Sequence, residues 1–276
     1  MIQLGQINNL VILRITRIGL YLGDDENNEI LLPNNVLPPV YVVGEKIEVF
    51  VYRDSEDRLI ATTRQPKLFL NEFAYLKVKD VSNAGAFLDW GLEKDLLVPY
   101  AQQKTEMVAG KSYVVCLYLD MLTNRLAASS RISRFLRNEE AAYAPGEEVS
   151  LLIYEKTELG YNAIINGRHQ GLLYHNEIYT PITIGDRLAG YIKKIRPDKG
   201  IDLTINKPGL ENLETNSLKI LEYLKRNKGF MKFTDKSDVK EIEQTLQMSK
   251  KTFKRALGIL YKQRLVRLEP EGTYLI

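Results

Sequence analysis

A chain of 276 residues, 45% hydrophobic and 26% charged, has the composition of an ordinary globular protein and the length for two domains, or more if they are small. Its single Cys116 excludes an intramolecular disulfide and any multi-cysteine zinc cage. The net charge of +3 is unevenly spread, with 14 basic against 9 acidic residues over 211–276 and 9 against 7 over 71–137, so a polyanion would be attracted mainly to those two stretches.

The chain opens "MIQLGQINNL", which lacks the basic flank and apolar core of a secretory signal. No apolar run approaches the ~18 residues of a membrane span, so a cytoplasmic protein with no membrane partner is expected. The chain then repeats itself. Gly19, Gly85 and Gly160 each open a short apolar segment, "GLYLG", "GAFLDWG" and "GYNAIING". Gly44, Gly110 and Gly185 each precede a longer one, and both series are spaced by 66 and 75 residues. The same offsets align Pro33, Pro99 and Tyr174, and "RLIATT", "RLAASS" and "GIDLTI" close the three units. In the second copy five strands are expected, at 74–81, 85–91, 96–100, 111–120 and 125–130. Five strands in about 65 residues, with a turn-forming glycine before the second and fourth, suit a small closed barrel of the OB type. The fold class expected is therefore mainly β: three tandem five-stranded barrels over 1–66, 67–137 and 138–208, then a different domain over 209–276. Short connectors at 64–67 and 131–147, the second with a short helix, suggest separate beads.

Within "GAFLDWG", strand alternation that turns Ala86 and Leu88 inward turns Phe87 outward. Such a ring either packs on a neighbouring domain or stacks a base. "VSNAGAFLDWGLEKDLLVPYAQQ", followed by "VAGKSYVVCLYLDMLTNRLAASS", resembles the S1-type RNA-binding domain, an OB-fold variant. The resemblance implies an RNA surface lined by the aromatic of the second strand, a His or aromatic of the third, and the Asp and Arg of the last hairpin. Carried over, these are Phe87, Asp120 and Arg125. The third-strand His is replaced by Pro99, and the aromatic often found just before the glycine is Ala84. Tyr21 matches Phe87 in the first, acidic and divergent copy; in the third that position is Asn162, while Tyr174 stands at the third-strand position.

After 210 the pattern turns helical. "NSLKILEYLKRNKG" (216–229) predicts a helix with Asn216 or Ser217 as cap and Gly229 at its end. "SDVKEIEQTL" (237–246) opens with Asp238 three residues before Glu241, a capping-box pattern. "MSKKTFKRALGILYKQRLV" (248–266) sets Phe253, Ala256, Leu257 and Leu260 on one stripe and Lys251, Lys254, Arg255 and Lys262 on the other. A hairpin around Glu269–Gly272 completes what resembles a winged helix-turn-helix domain. In such domains the third helix usually enters the major groove; its basic stripe is either a phosphate-binding or merely a solvated face.

Three S1-like copies followed by this tail resemble the conserved virulence factor B family of bacterial RNA-binding regulators. The resemblance implies a non-catalytic protein that binds single-stranded RNA, at Phe87, Asp120, Arg125, Tyr174, Tyr21, Lys251, Lys254 and Arg255, and regulates gene expression. A DNA-binding transcriptional regulator working through the winged helix is the alternative. No P-loop, HExxH or GxSxG sequence occurs, His169 and His175 with Glu177 do not complete a metal set, and "GDDENNE" (23–29) lacks calcium-loop spacing, so neither an enzyme nor a cofactor is expected.

Overall fold

In a computed structural model, residues 1–178, 181–206 and 215–276 are described, without the side chains of Glu177 and Thr215. The expected boundary between the third and fourth units, at 208/209, lies outside them. The first unit comprises β1 (Ile7–Ile15), β2 (Gly19–Gly23), β3 (Glu29–Pro33), β4 (Lys46–Arg53) and β5 (Leu59–Thr62). β1 pairs with β4 through its first half and with β2 through its second, a bulge between Ile12 and Arg14 bending it from one to the other. A parallel contact between β3 and β5 at Leu31↔Ile60 closes the barrel around Leu10, Ile12, Leu20, Leu22, Leu32 and Val51.

The second unit, β6 (Phe73–Ser82), β7 (Gly85–Leu88), β8 (Leu96–Pro99), β9 (Ser112–Asp120) and β10 (Arg125–Ser129), repeats this plan. So does the third, β11 (Glu148–Lys156), β12 (Gly160–Ile165), β13 (His169–Tyr174), β14 (Arg187–Ile195) and β15 (Ile201–Thr204). The bulge recurs in β6 and β11, and the pairs Gly19↔Pro33, Gly85↔Pro99 and Gly160↔Tyr174 give the aligned landmarks one structural meaning. A Cβ on Gly19, Gly85 or Gly160 would lie 2.1, 2.2 or 2.0 Å from the carbonyl oxygen of Leu32, Val98 or Leu173. No side chain fits there, which is why each copy spends a glycine at that point.

The second unit closes its barrel differently. Its strands run β10-β9-β6-β7-β8, and β8 lies beside β10, but Leu97 and Leu126, which correspond to the paired Leu31 and Ile60, are not joined by a ladder. Side chains and a turn pin the seam at one end instead: Ser130 N and Ser129 Oγ donate to Gln102 O, and Gln103 Nε2 donates to Val98 O at 3.0 Å. The expected strand at 85–91 stops at Leu88, where the chain turns through Asp89–Gly91 (Gly91 φ 93°) and sends Trp90 into a core.

Nor are the three barrels beads. β4 carries Val49, Phe50, Val51 and Tyr52, all buried, so it is apolar on both faces. Val49 and Val51 fill their own barrel, whereas Phe50 and Tyr52 join the core of the second, edge-on to Trp90 at 5.7 and 6.3 Å. β9 repeats the device. Val115 and Leu117 point into the second unit, while Val114 and Cys116 pack with Ile132, Leu152 and Ile164 of the linker and the third. Burial there pushes the Cys116 thiol up to about 12. The linker forms only a 3₁₀ turn, Ile132–Phe135, where a short helix was expected.

The C-terminal domain holds α1 (Thr215–Arg226), β16 (Phe230–Met231), α2 (Val239–Leu246), α3 (Lys250–Lys262), β17 (Val266–Glu269) and β18 (Gly272–Leu275) around a separate core that includes Ile220, Leu224, Phe233, Ile242, Phe253 and Leu257. Asp238 caps α2 by accepting from Lys240 N at 2.8 Å, and Ser249 caps α3 by accepting from Thr252 N. Ser217 is no cap: it lies inside α1, fully buried, and its hydroxyl donates to Ala256 O of α3 at 3.2 Å. Among the described residues no helix is long and apolar enough to cross a membrane.

Candidate nucleic-acid interface

The unladdered seam of the second unit opens on a cleft of about 600 Å³ between the first and second barrels. Ala86 and Leu88 are fully buried, so alternation along β7 turns Phe87 out of the barrel core, as expected. It lines the cleft half-buried rather than fully exposed, because Leu97, Pro99 and Leu126 and the facing hairpin of the first barrel wall it in. Asp120 and Arg125 stand opposite each other across β9 and β10 and line the same cleft. The structure thus brings together three side chains separated by up to 38 positions in the chain.

Each polar member is positioned by the first barrel or by its own turn. Asp120 accepts from Leu122 N at 2.9 Å, fixing the β9–β10 hairpin. Arg125 Nε bonds to Asp57 Oδ1 at 2.9 Å and holds that carboxyl below its usual range. Arg53 Nε donates to Asn124 O at 3.0 Å, and Lys94 Nζ donates to Asp54 O at 2.6 Å. Burial lowers the Lys94 pKa. Tyr52, Arg53 and Lys94 line the cleft without any local motif to mark them, since two come from the preceding repeat and only packing brings them there. A flat apolar wall beside cationic and hydrogen-bonding groups can accept a base face and a phosphate together.

The other expected aromatics are differently placed. Tyr21 pairs with Arg14 across β1 and β2, and the Arg14 guanidinium sits 4.2 Å from its ring centroid while forming a bidentate pair with Glu29. One ring face is therefore already occupied. Tyr174 is half-buried, its hydroxyl donating to the buried Asp202 at 3.3 Å, and Asn162 donates to Glu155 at 3.1 Å. His169 Nδ1 meets the Tyr143 hydroxyl at 2.7 Å, and His175 Nε2 lies 3.3 Å from Thr157 O.

On α3 the two stripes divide as expected: Phe253, Ala256, Leu257 and Leu260 are buried, and Lys251, Lys254, Arg255 and Lys262 are exposed. At the wing, Glu269 is held by Arg267 at 3.1 Å and Glu271 lies exposed in the turn.

Against this geometry, the family description "CvfB-like winged helix domain" matches residues 218–275, and "S1 domain" matches residues 4–64. The chain resembles the conserved virulence factor B family, as its sequence suggested. Conserved virulence factor B of Staphylococcus aureus is 26% identical over 239 residues, 82% of this chain and 78% of that protein. The uncharacterized protein YitL of Bacillus subtilis is 28% identical over 281 residues, 98% of this chain and 93% of that one. A crystal structure of a multidomain protein with nucleic acid binding domains from Streptococcus pneumoniae aligns over 99% of this chain and 98% of its own, with 24% identity and a TM-score of 0.45. The S1 match falls on the first barrel, the copy that its sequence marks as divergent, while the S1-like cleft residues belong to the second. The CvfB-like winged helix and the S1 domain are nucleic-acid-binding types rather than enzyme families.

Proposed function

We propose that the protein binds single-stranded RNA without catalysis and regulates gene expression in the cytoplasm, with the cleft of the second barrel seating one base against Phe87. The observation that carries this reading is the convergence of Phe87, Asp120 and Arg125 in one cleft with Arg53 and Lys94, although Glu93 and Asp95 line it too. OB-type barrels suit unpaired strands, whose bases are free to stack on aromatic rings and to present their edges. The regulatory part is supported by the resemblance to conserved virulence factor B alone. A second reading, duplex DNA held by α3, is favoured by its exposed Lys251 and Lys254 and disfavoured by Glu271 at the wing tip, which phosphate repels.

A competition assay at one fixed salt concentration separates the two, because affinities at different salt are not comparable. Full-length protein should prefer single-stranded RNA to single-stranded and duplex DNA. Tighter binding of the duplex would put the second reading first.

A further inference from the structure

A second cleft, slightly larger, lies elsewhere. It lies between the second and third barrels, has a volume of about 650 Å³ and falls within the ~300–1,000 Å³ of ordinary ligand sites. Three arginines from three separate elements line it: Arg137 from the linker, Arg168 from the β12–β13 hairpin and Arg187 from the start of β14. Arg137 N donates to Arg168 O at 3.3 Å, so two of the guanidiniums leave the backbone from adjoining points. Arg187 Nη2 donates to Phe73 O at 2.7 Å, which ties the third barrel to the second and fixes the cleft's width.

Among the described residues none of Arg137, Arg168 and Arg187 forms an ion pair, unlike Arg14, Arg58, Arg125, Arg196 and Arg267. Arg17, Arg53, Arg131, Arg134 and Arg264 form none either, but these three line one cleft together. Two carboxylates, Glu72 and Glu140, also line the cleft; Glu72 is committed to Phe69 N at 3.0 Å. Three guanidiniums without a carboxylate partner around one concavity repel each other, and an anion between them relieves that repulsion while accepting forked hydrogen bonds. Phe135 adds an apolar wall. A ligand suited to both has phosphates joined to flat apolar groups.

We propose that this cleft binds the phosphodiester backbone of a single nucleic-acid strand, as a second holding point on the strand whose base sits against Phe87. The proposal rests on the reading given above for the Phe87 cleft. Arg137→Ala with Arg168→Ala tests it in the full chain, Arg187 being spared because it ties two barrels together. Two probes are used: an oligouridylate long enough to span both clefts, and tripolyphosphate. The double variant should bind the oligouridylate more weakly, with the slope of log affinity against log salt reduced by about 1.4, twice the value per contact for a single strand. It should also lose tripolyphosphate binding. Arg17→Ala with Lys46→Ala removes equal charge from the exposed surface of the first barrel and should leave the slope as it is. An unchanged slope in the first variant, or an equal fall in both, overturns the proposal. Should the wild-type chain bind no RNA at all, the reading of the Phe87 cleft falls, and tripolyphosphate then decides on this cleft alone. Its loss in the double variant upholds an anion site; its retention overturns one.

Discussion

Phe87 and Leu88 are sequence neighbours on β7 with opposite surroundings, one in the cleft and the other at the centre of the barrel. Phe87→Ala should weaken RNA binding by roughly 1–3 kcal/mol, the value of one base stacked on a ring, with little loss of stability. Leu88→Ala should destabilise the fold by about 2–5 kcal/mol through the cavity it leaves. Thermal unfolding and RNA titration of both variants check this; a Phe87→Ala protein as unstable as Leu88→Ala with unchanged affinity would show the ring to be merely packed. Alternation alone made the outward turn of Phe87 legible, because the two faces of a strand follow from a two-residue period. The occupation of Tyr21 was not legible, since Arg14 reaches its ring only through the β1–β2 register. Nor were Arg53 and Lys94, whose place in the cleft depends on one barrel meeting the next.

Among the elements, α3 has the clearest division of labour. Its caps and its stripes follow the spacing of Ser249, Phe253, Leu257 and Leu260, while the burial of Ser217 inside α1 escaped a reading in which small polar residues near a helix start are caps. If the basic stripe binds phosphate, Lys251→Ala, Lys254→Ala and Arg255→Ala combined should weaken binding about equally for every RNA sequence, since phosphate contacts carry no sequence information. The salt slope should fall by about 0.7 per lost contact. A folded triple variant with the wild-type slope would assign this face to solvent. β4 and β9 teach a different lesson. "VFVY" (49–52) and "VVCL" (114–117) are apolar on successive residues, the mark of a strand covered on both faces, and each packs a neighbouring unit with its second face. β14, "RLAGYIKKI", lacks such a run, with only Gly190 and Ile192 fully buried. That difference is present in the sequence, but the alignment of equivalent positions in the repeats does not display contacts between copies.

At the scale of the whole molecule, the first two barrels share a core while the winged helix keeps its own. Trp90, the one tryptophan, sits edge-on against the stacked Phe50 and Tyr52 and reports on that shared core. Phe50→Ala should move Trp90 emission to longer wavelength and cost about 3–5 kcal/mol, with the first and second barrels unfolding together. The helical signal of the winged helix should hardly change its midpoint. Trp90 emission that ignores Phe50→Ala would mean that the barrels stand apart in solution. The shared core also orders the protein in time. During synthesis Phe50 and Tyr52 appear before Trp90, and at about 5–20 residues per second the nascent first barrel waits roughly 2–8 s for the residue that covers them. Val114 and Cys116 then wait in turn for Leu152 and Ile164. The first and second barrels are each finished by the one translated after it, so a ribosome stalled between copies would hold out a sticky apolar strip, and the hand-over from copy to copy is where a chaperone would be needed.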